Sequence, residues 1–188
     1  LLDVGVLALG YAALSNISAR TQAYPFMEEM SRYSQAPVAM ATRDRLSMIY
    51  LEVVHTESTL TMRRPVGSTL PIHSSAMGRA CLAAMDVKER EYLFDAIKKR
   101  NEDQWPTIKR NLERAIRDYQ DYGYCLSLGD WAKDVNSVAV PLVHPKHGIL
   151  TFNCGAPSYL LNQEKLENEI GPRLIHMVNN IAMNLNNI

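Results

Sequence analysis

The sequence has no charge excess. Lys+Arg and Asp+Glu each number 20, so the formal net charge is zero. A module that grips nucleic acid by itself carries a basic excess or stripe, so these residues are not expected to hold DNA. Cysteine is scarce: Cys81, Cys125 and Cys154 are odd in number, far apart and form no CxxC pair. They read as reduced thiols of a cytoplasmic protein rather than a disulfide frame. No run of about 18 apolar residues exists, so no membrane span is expected. The opening LLDVGVLALGYAAL lacks a basic leader and carries Asp3, which makes it a poor signal peptide. Phosphate-loop patterns are missing too, as are internal repeats and low-complexity segments. No cofactor is implied.

What is present fits one domain of 188 residues, 47% of them apolar, long enough to bury a core without staples. Leu2, Val6, Leu9, Ala13 and Ile17 recur at helical spacing, so a helix is expected over 1–19. AYPFMEEMSRYS predicts a second, short helix with Pro25 in its first turn. The opening has neither an initiator Met nor a helix start signal, and the chain is expected to begin inside an element of a longer protein. β-branched and aromatic residues then predict a hairpin with strands near 38–43 and 47–55. TLTMRRPVGSTL reads as a third extended segment, ended by Pro65 and Gly67.

Helices follow at 75–84, at 86–99 with Asp86 as N-cap and Glu89 at capping-box spacing, and at 105–123 ending near Gly123. Three more extended runs are YCLSL, VNSVAVPLV and GILTFNCGAP, the last two joined by a turn at HPKHG. An amphipathic helix runs from Asn162 to about Asn187 through Leu166, Ile170, Leu174, Met177, Ile181 and Leu185. Strands in two hairpin-linked groups predict a mainly antiparallel six-stranded sheet flanked by helices, an α+β domain.

The stretch GSTLPIHSSAMGRACLAAM concentrates the chemical question. Small hydroxyl residues open an Ala-rich helix with no obvious catalytic group beside them. A nucleophilic Ser75 would need a base within reach, and His73 is the nearby candidate. Cys81 would need a partner that depresses its pKa. A small hydrolase using Ser75 or Cys81 is therefore one reading. The plainer one has Ser74 or Ser75 capping the helix. His144 and His147 sit in a turn, and two histidines do not make a zinc site; a solvated hairpin loop is expected. A further possibility is a receptor. A helix start exposes unpaired N–H groups and partial positive charge. With Ala76 and Met77 at the outward amides and Gly78 removing bulk, a carboxylate could dock through charge-assisted hydrogen bonds.

These residues resemble a known motif. VGSTLPIHSSAMGRACLA is similar to the signature of the isocitrate lyase regulator (IclR) family of bacterial transcription factors, through Gly67, Leu70-Pro71, His73, Ala76, Gly78, Arg79-Ala80 and Leu82-Ala83. A second collinear block, DVNSVAVPLVHPKHGILTFNCGAP, agrees through Ala139, Pro141, Gly148 and Pro157, and RDYQDYGY before it also fits. The resemblance runs over nearly the whole chain.

It implies a GAF-like effector-binding domain over 36–188 and a helical segment, 1–35, leading in from an N-terminal winged helix-turn-helix absent from this chain. DNA would be bound only through that missing domain, in a homodimer or homotetramer. The implied ligand is a small carboxylate, received by the amides of Ala76 and Met77. Met62, Leu70 and Val135 would form apolar walls, Ser137, Asn153 and Gly155 a polar floor, and Ser127 a further lining position. Gly155 lacks a hydroxyl that the family can use, and Arg79 stands for the commoner Lys as a solvated side chain. An oligomerisation or protein-interaction domain with a vestigial pocket is the alternative.

Overall fold

The computed structural model of the protein describes residues 4–15, 17–55 and 64–186. Helices α1 (Val4–Ser15) and α2 (Ser18–Ser34) lead into strands β1 (Val38–Asp44), β2 (Ser47–Val54) and β3 (Thr69–Pro71). Three helices follow, α3 (Ala76–Ala84), α4 (Val87–Arg100) and α5 (Trp105–Tyr122). Strands β4 (Cys125–Leu128), β5 (Val135–His144) and β6 (Gly148–Pro157) complete the sheet. The chain then runs through α6 (Gln163–Lys165), a π-helical turn (Leu166–Ile170) and α7 (Gly171–Asn186). The six strands lie in the order β3-β2-β1-β6-β5-β4, and every pairing is antiparallel. This is the α+β architecture expected from the sequence.

Strand alternation divides the molecule into two layers. Side chains of successive strand residues point to opposite faces. Val38 and Met40 of β1, Val138, Val140 and Leu142 of β5, and Leu150, Phe152 and Cys154 of β6 enter one core with α2 and α7. That core takes Ala19, Ala23 and Met27 from α2 and Leu174, Val178 and Ile181 from α7, all buried. Each large apolar side chain so buried contributes about 1.5–3 kcal/mol. The opposite sheet face carries small residues, Ala39, Ala41 and Ala139, and supports α3, α4 and α5.

Local signals explain most helix ends. Asp86 caps α4 by accepting from the Lys88 amide at 2.9 Å, and Gly123 closes α5 with φ +82°, a conformation that costs only glycine nothing.

Several boundaries differ from the sequence expectation. The first helix ends at Ser15, and α2 begins at Ser18, so Pro25 lies inside a helix and not in its first turn. The packing of a 17-residue helix carries the one missing N–H, at an exposed position. Val6 and Leu9 of α1 are exposed despite their periodic spacing. The third extended segment begins after Gly67, where residues 65–68 form a turn and Gly67 has φ +86°; its 56–63 portion lies outside the described residues. The C-terminal helix is interrupted. Pro172 has no N–H to bond the Asn168 carbonyl, and the Gly171 amide reaches instead to Leu166 O, a π-type step.

Candidate functional site

The motif stretch folds into a tight corner. The chain leaves β3 at Pro71, turns, and enters α3 with Ser75 as N-cap. Ser75 Oγ accepts from the Gly78 amide (3.1 Å) and donates to the Pro71 carbonyl (2.7 Å). Gly78 is forced by packing, because a Cβ there would overlap the Ile72 backbone. The Arg79 amide bonds Ser75 O at 3.0 Å. The amides of Ala76 and Met77 are then left with no protein acceptor among the described residues. These are the unpaired donors that a helix start presents.

This helix start opens onto a hollow between α3 and the small-residue face of the sheet. It measures about 560 Å³ out to its mouth, and its free interior is narrow, about 50 Å³. Leu70, Ala76, Val135, Ser137, Asn153 and Gly155 line it, so six of the nine residues implied by the motif are brought together. Register accounts for the floor. Asn153 pairs with Ala39 on one side and Ala139 on the other, and Ser137 faces Gly155. Alanine neighbours leave the space that larger residues would fill. A Cβ on Gly155 would stand 2.9 Å from that of Ser137 and 3.6 Å from Asn153 Nδ2, narrowing the floor. Asn153 is only 9% exposed, and its carboxamide has no hydrogen-bond partner among the described residues. Its carboxamide atoms are not among the buried unpaired atoms of the described residues, so they stay open to the hollow, with both a donor and an acceptor free for a polar guest.

The other three implied residues are elsewhere. The Met77 side chain is fully buried in the α3 core and does not reach the hollow; only its amide belongs to the corner. Ser127 is buried and spends its hydroxyl on the Ser74 carbonyl at 2.8 Å, pinning β4 to the corner without lining the hollow. Met62 lies outside the described residues.

Sequence reasoning missed Tyr50, Arg64 and Trp131, which also line the hollow. Tyr50 shares a sheet face with Met48, so the alternation of β2 carried its signal. Burial pushes its phenol up to about 12, opposed by the Arg64 charge, so it is a neutral donor at physiological pH. Arg64 lies over the Trp131 ring with its guanidinium carbon 4.6 Å from the ring centre.

Arg79 is not solvated. It is 2% exposed and forms an ion pair with Asp130 at 2.8 Å. It also donates to the Leu126 carbonyl (2.8 Å) and the His73 carbonyl (3.3 Å). One guanidinium therefore ties α3 to β4, to the β4–β5 loop and to the motif turn. The planar fork of arginine suits three such acceptors, which a lysine ammonium would meet less rigidly. On the far side of this turn His73, Ser74, Arg79 and Asp130 border a second, more open cleft of about 710 Å³ out to its mouth.

The nucleophile reading fails on geometry and electrostatics. The Ser75 hydroxyl is buried and engaged as both cap and donor. Burial raises the Cys81 thiol to about 12, far from the thiolate that catalysis needs. His144, expected to be solvated, is buried and stacked on His147 with ring centres 4.9 Å apart; its Nδ1 accepts from the Lys146 amide. No group of three His, Cys, Asp or Glu side chains could hold a metal among the described residues. No described helix is long and apolar enough to cross a membrane.

An antiparallel sheet with one filled face, and one face hollowed beneath a helix start, defines an α+β domain of the sensor-like kind expected from the sequence. The chain belongs to the IclR family: a family model described as the C-terminal part of the bacterial transcriptional regulator IclR matches residues 11–183. Among curated proteins, the HTH-type transcriptional regulator TsaQ1/TsaQ2 of Comamonas testosteroni is 32% identical over 179 residues, 94% of this chain and 64% of that protein. The chain spans less than two thirds of the length of the first curated relatives it matches. A solved IclR family transcriptional regulator from Brucella abortus is 58% identical with a TM-score of 0.94, covering 97% of this chain and 69% of that one. At 16% identity and a TM-score of 0.69, a double mutant of the inducer-binding domain of PobR from Acinetobacter, solved with 3-hydroxybenzoic acid, shares the fold over 87% of this chain and 97% of that one. These relatives are transcription regulators, and none is an enzyme by its name.

Proposed function

We propose that this domain senses a small organic acid and controls DNA binding by an N-terminal winged helix-turn-helix beyond this chain. Residues 36–188 form the sensor in this reading, and 1–35 lead in from the DNA-reading part of a cytoplasmic homodimer or homotetramer. The carboxylate rests on the free amides of Ala76 and Met77, where the partial charge of the helix start adds to the hydrogen bonds. Ser137 and Asn153 meet the remaining polar atoms, and Leu70 and Val135 cover the apolar part. Because a ligand shifts an equilibrium only by its differential affinity for two states, the acid would favour one spacing of paired DNA-reading heads. The observation that carries this reading is the pair of unpartnered amides at a helix start that opens on a hollow lined by Ser137 and Asn153. The solved complex of a PobR double mutant has a domain of this fold holding a hydroxybenzoic acid, and it motivates aromatic acids as first candidates.

The narrow interior favours a second reading, in which the hollow is vestigial and the domain responds to another protein. A panel of keto, hydroxy and aromatic acids followed by thermal melting separates the two. A specific binder at one hundred times its dissociation constant stabilises by about 2.7 kcal/mol. A flat melting temperature across the panel supports the vestigial reading.

A further inference from the structure

Arg64 differs from the other arginines that the fold uses. Arg20, Arg43 and Arg79 each hold an acid at 2.7–2.8 Å: Glu52, Glu89 and Asp130 respectively. Arg64 has no carboxylate partner among the described residues. Among the described residues its hydrogen bond, to the Thr69 carbonyl, is long at 3.4 Å. It lies instead over the ring of Trp131, and both side chains line the hollow. No Asp or Glu is among the lining residues. Among the described residues the lining of the hollow thus holds one formal charge, and it is positive. That cation is held by a ring face, a weaker partner than a carboxylate with two charge-assisted hydrogen bonds.

We infer that Arg64 is the charge-selecting residue of this site: parked on Trp131 when the hollow is empty, it pairs with the anionic group of the effector when one enters. The inference rests on the effector reading above and adds to it. The helix amides alone orient a carboxylate but discriminate weakly between an acid and its neutral amide. A mobile guanidinium at the mouth supplies that discrimination. The narrow interior is consistent with the same arrangement, since the arginine and tryptophan occupy wall space that a ligand must share. The stacked pair also makes Trp131 a built-in reporter, because the departure of a cation from an indole face changes its emission.

The sequence has two tryptophans, so Trp105→Phe leaves Trp131 as the sole fluorophore. In that background, benzoate, 3-hydroxybenzoate, pyruvate and benzamide are titrated by fluorescence and calorimetry. For an acid that binds, Arg64→Gln is expected to lose about tenfold or more in affinity, while benzamide changes by less than about twofold. Arg64→Lys should retain part of the acid affinity, since it keeps the charge but not the fork. Without ligand, Arg64→Gln should already shift Trp131 emission while the melting curve stays cooperative. Equal acid affinity in Arg64→Gln and its parent would overturn the inference and leave the effector reading standing. An unchanged ligand-free emission would overturn the parked position. Failure of the parent protein to bind any of the acids would count against the effector reading itself, and the inference would fall with it.

Discussion

The two faces of the sheet are made by the same strands and behave as opposites. On β6, Phe152 is fully buried against α2 and α7, and its neighbour Asn153 lines the hollow with its carboxamide open to it. On β5, Val138 and Val140 fill the first face while Ser137 and Ala139 leave room on the second. One residue of offset along a strand separates the packed core from the hollow. The filled face fixes the sheet, so that the other can carry free amides and a hollow without collapsing.

The largest effects should come from the one place where the hollow face is tied together by charge. Arg79→Ala strands the Leu126 and His73 carbonyls and the Asp130 carboxylate, and about 3–5 kcal/mol of stability should be lost, read by urea unfolding. Phe152→Ala should cost a similar amount, about 3–5 kcal/mol, through the cavity left in the filled face. Gly78→Ala follows, at about 1–3 kcal/mol or more, because the new methyl meets the Ile72 backbone, which yields less than a side chain. Asn153→Ala sharpens the contrast most. It sits beside Phe152, yet its change should stay within about 1 kcal/mol, since no protein hydrogen bond is lost. Effector affinity should nevertheless drop. An Asn153→Ala loss as large as that of Phe152→Ala would erase the distinction between the faces.

The smallest effect concerns pH. Burial, and then the Arg79 charge, lower the pKa of His73. The folded protein therefore prefers the neutral ring. That preference is fully present above the ordinary histidine value and is lost as pH falls below it toward the folded value. Stability should decline on acidification from about pH 6.5, and His73→Gln should flatten this part of the profile.

Much of this division was legible in the sequence. Alternation in VNSVAVPLV and GILTFNCGAP places large and small residues on opposite faces, and Ser75, Asp86 and Gly123 mark helix ends by their capping chemistry. The motif resemblance pointed to six residues that do line the hollow. Its limits are physical. Arg64 and Trp131 lie outside regular elements, where no period announces a facing partner. Met77 and Ser127 were implied by position in a motif, and burial and the Ser74 carbonyl claim their side chains. Pro25 and Gly171-Pro172 look like breaks, but packing against the filled core carries a helix through the first and a π turn absorbs the second. Arg79 did carry a signal: an arginine among Ala80, Cys81, Leu82 and Ala83 on a short apolar helix needs a buried acceptor.

The account turns on whether the start of α3 receives a ligand through its main chain. Amide NMR of the isotopically labelled domain, followed while a binding acid is titrated, reads this directly. The Ala76 and Met77 amide protons are predicted to move downfield and saturate with the affinity measured by calorimetry. Saturable binding that leaves both amides unmoved, while resonances elsewhere shift, would contradict it.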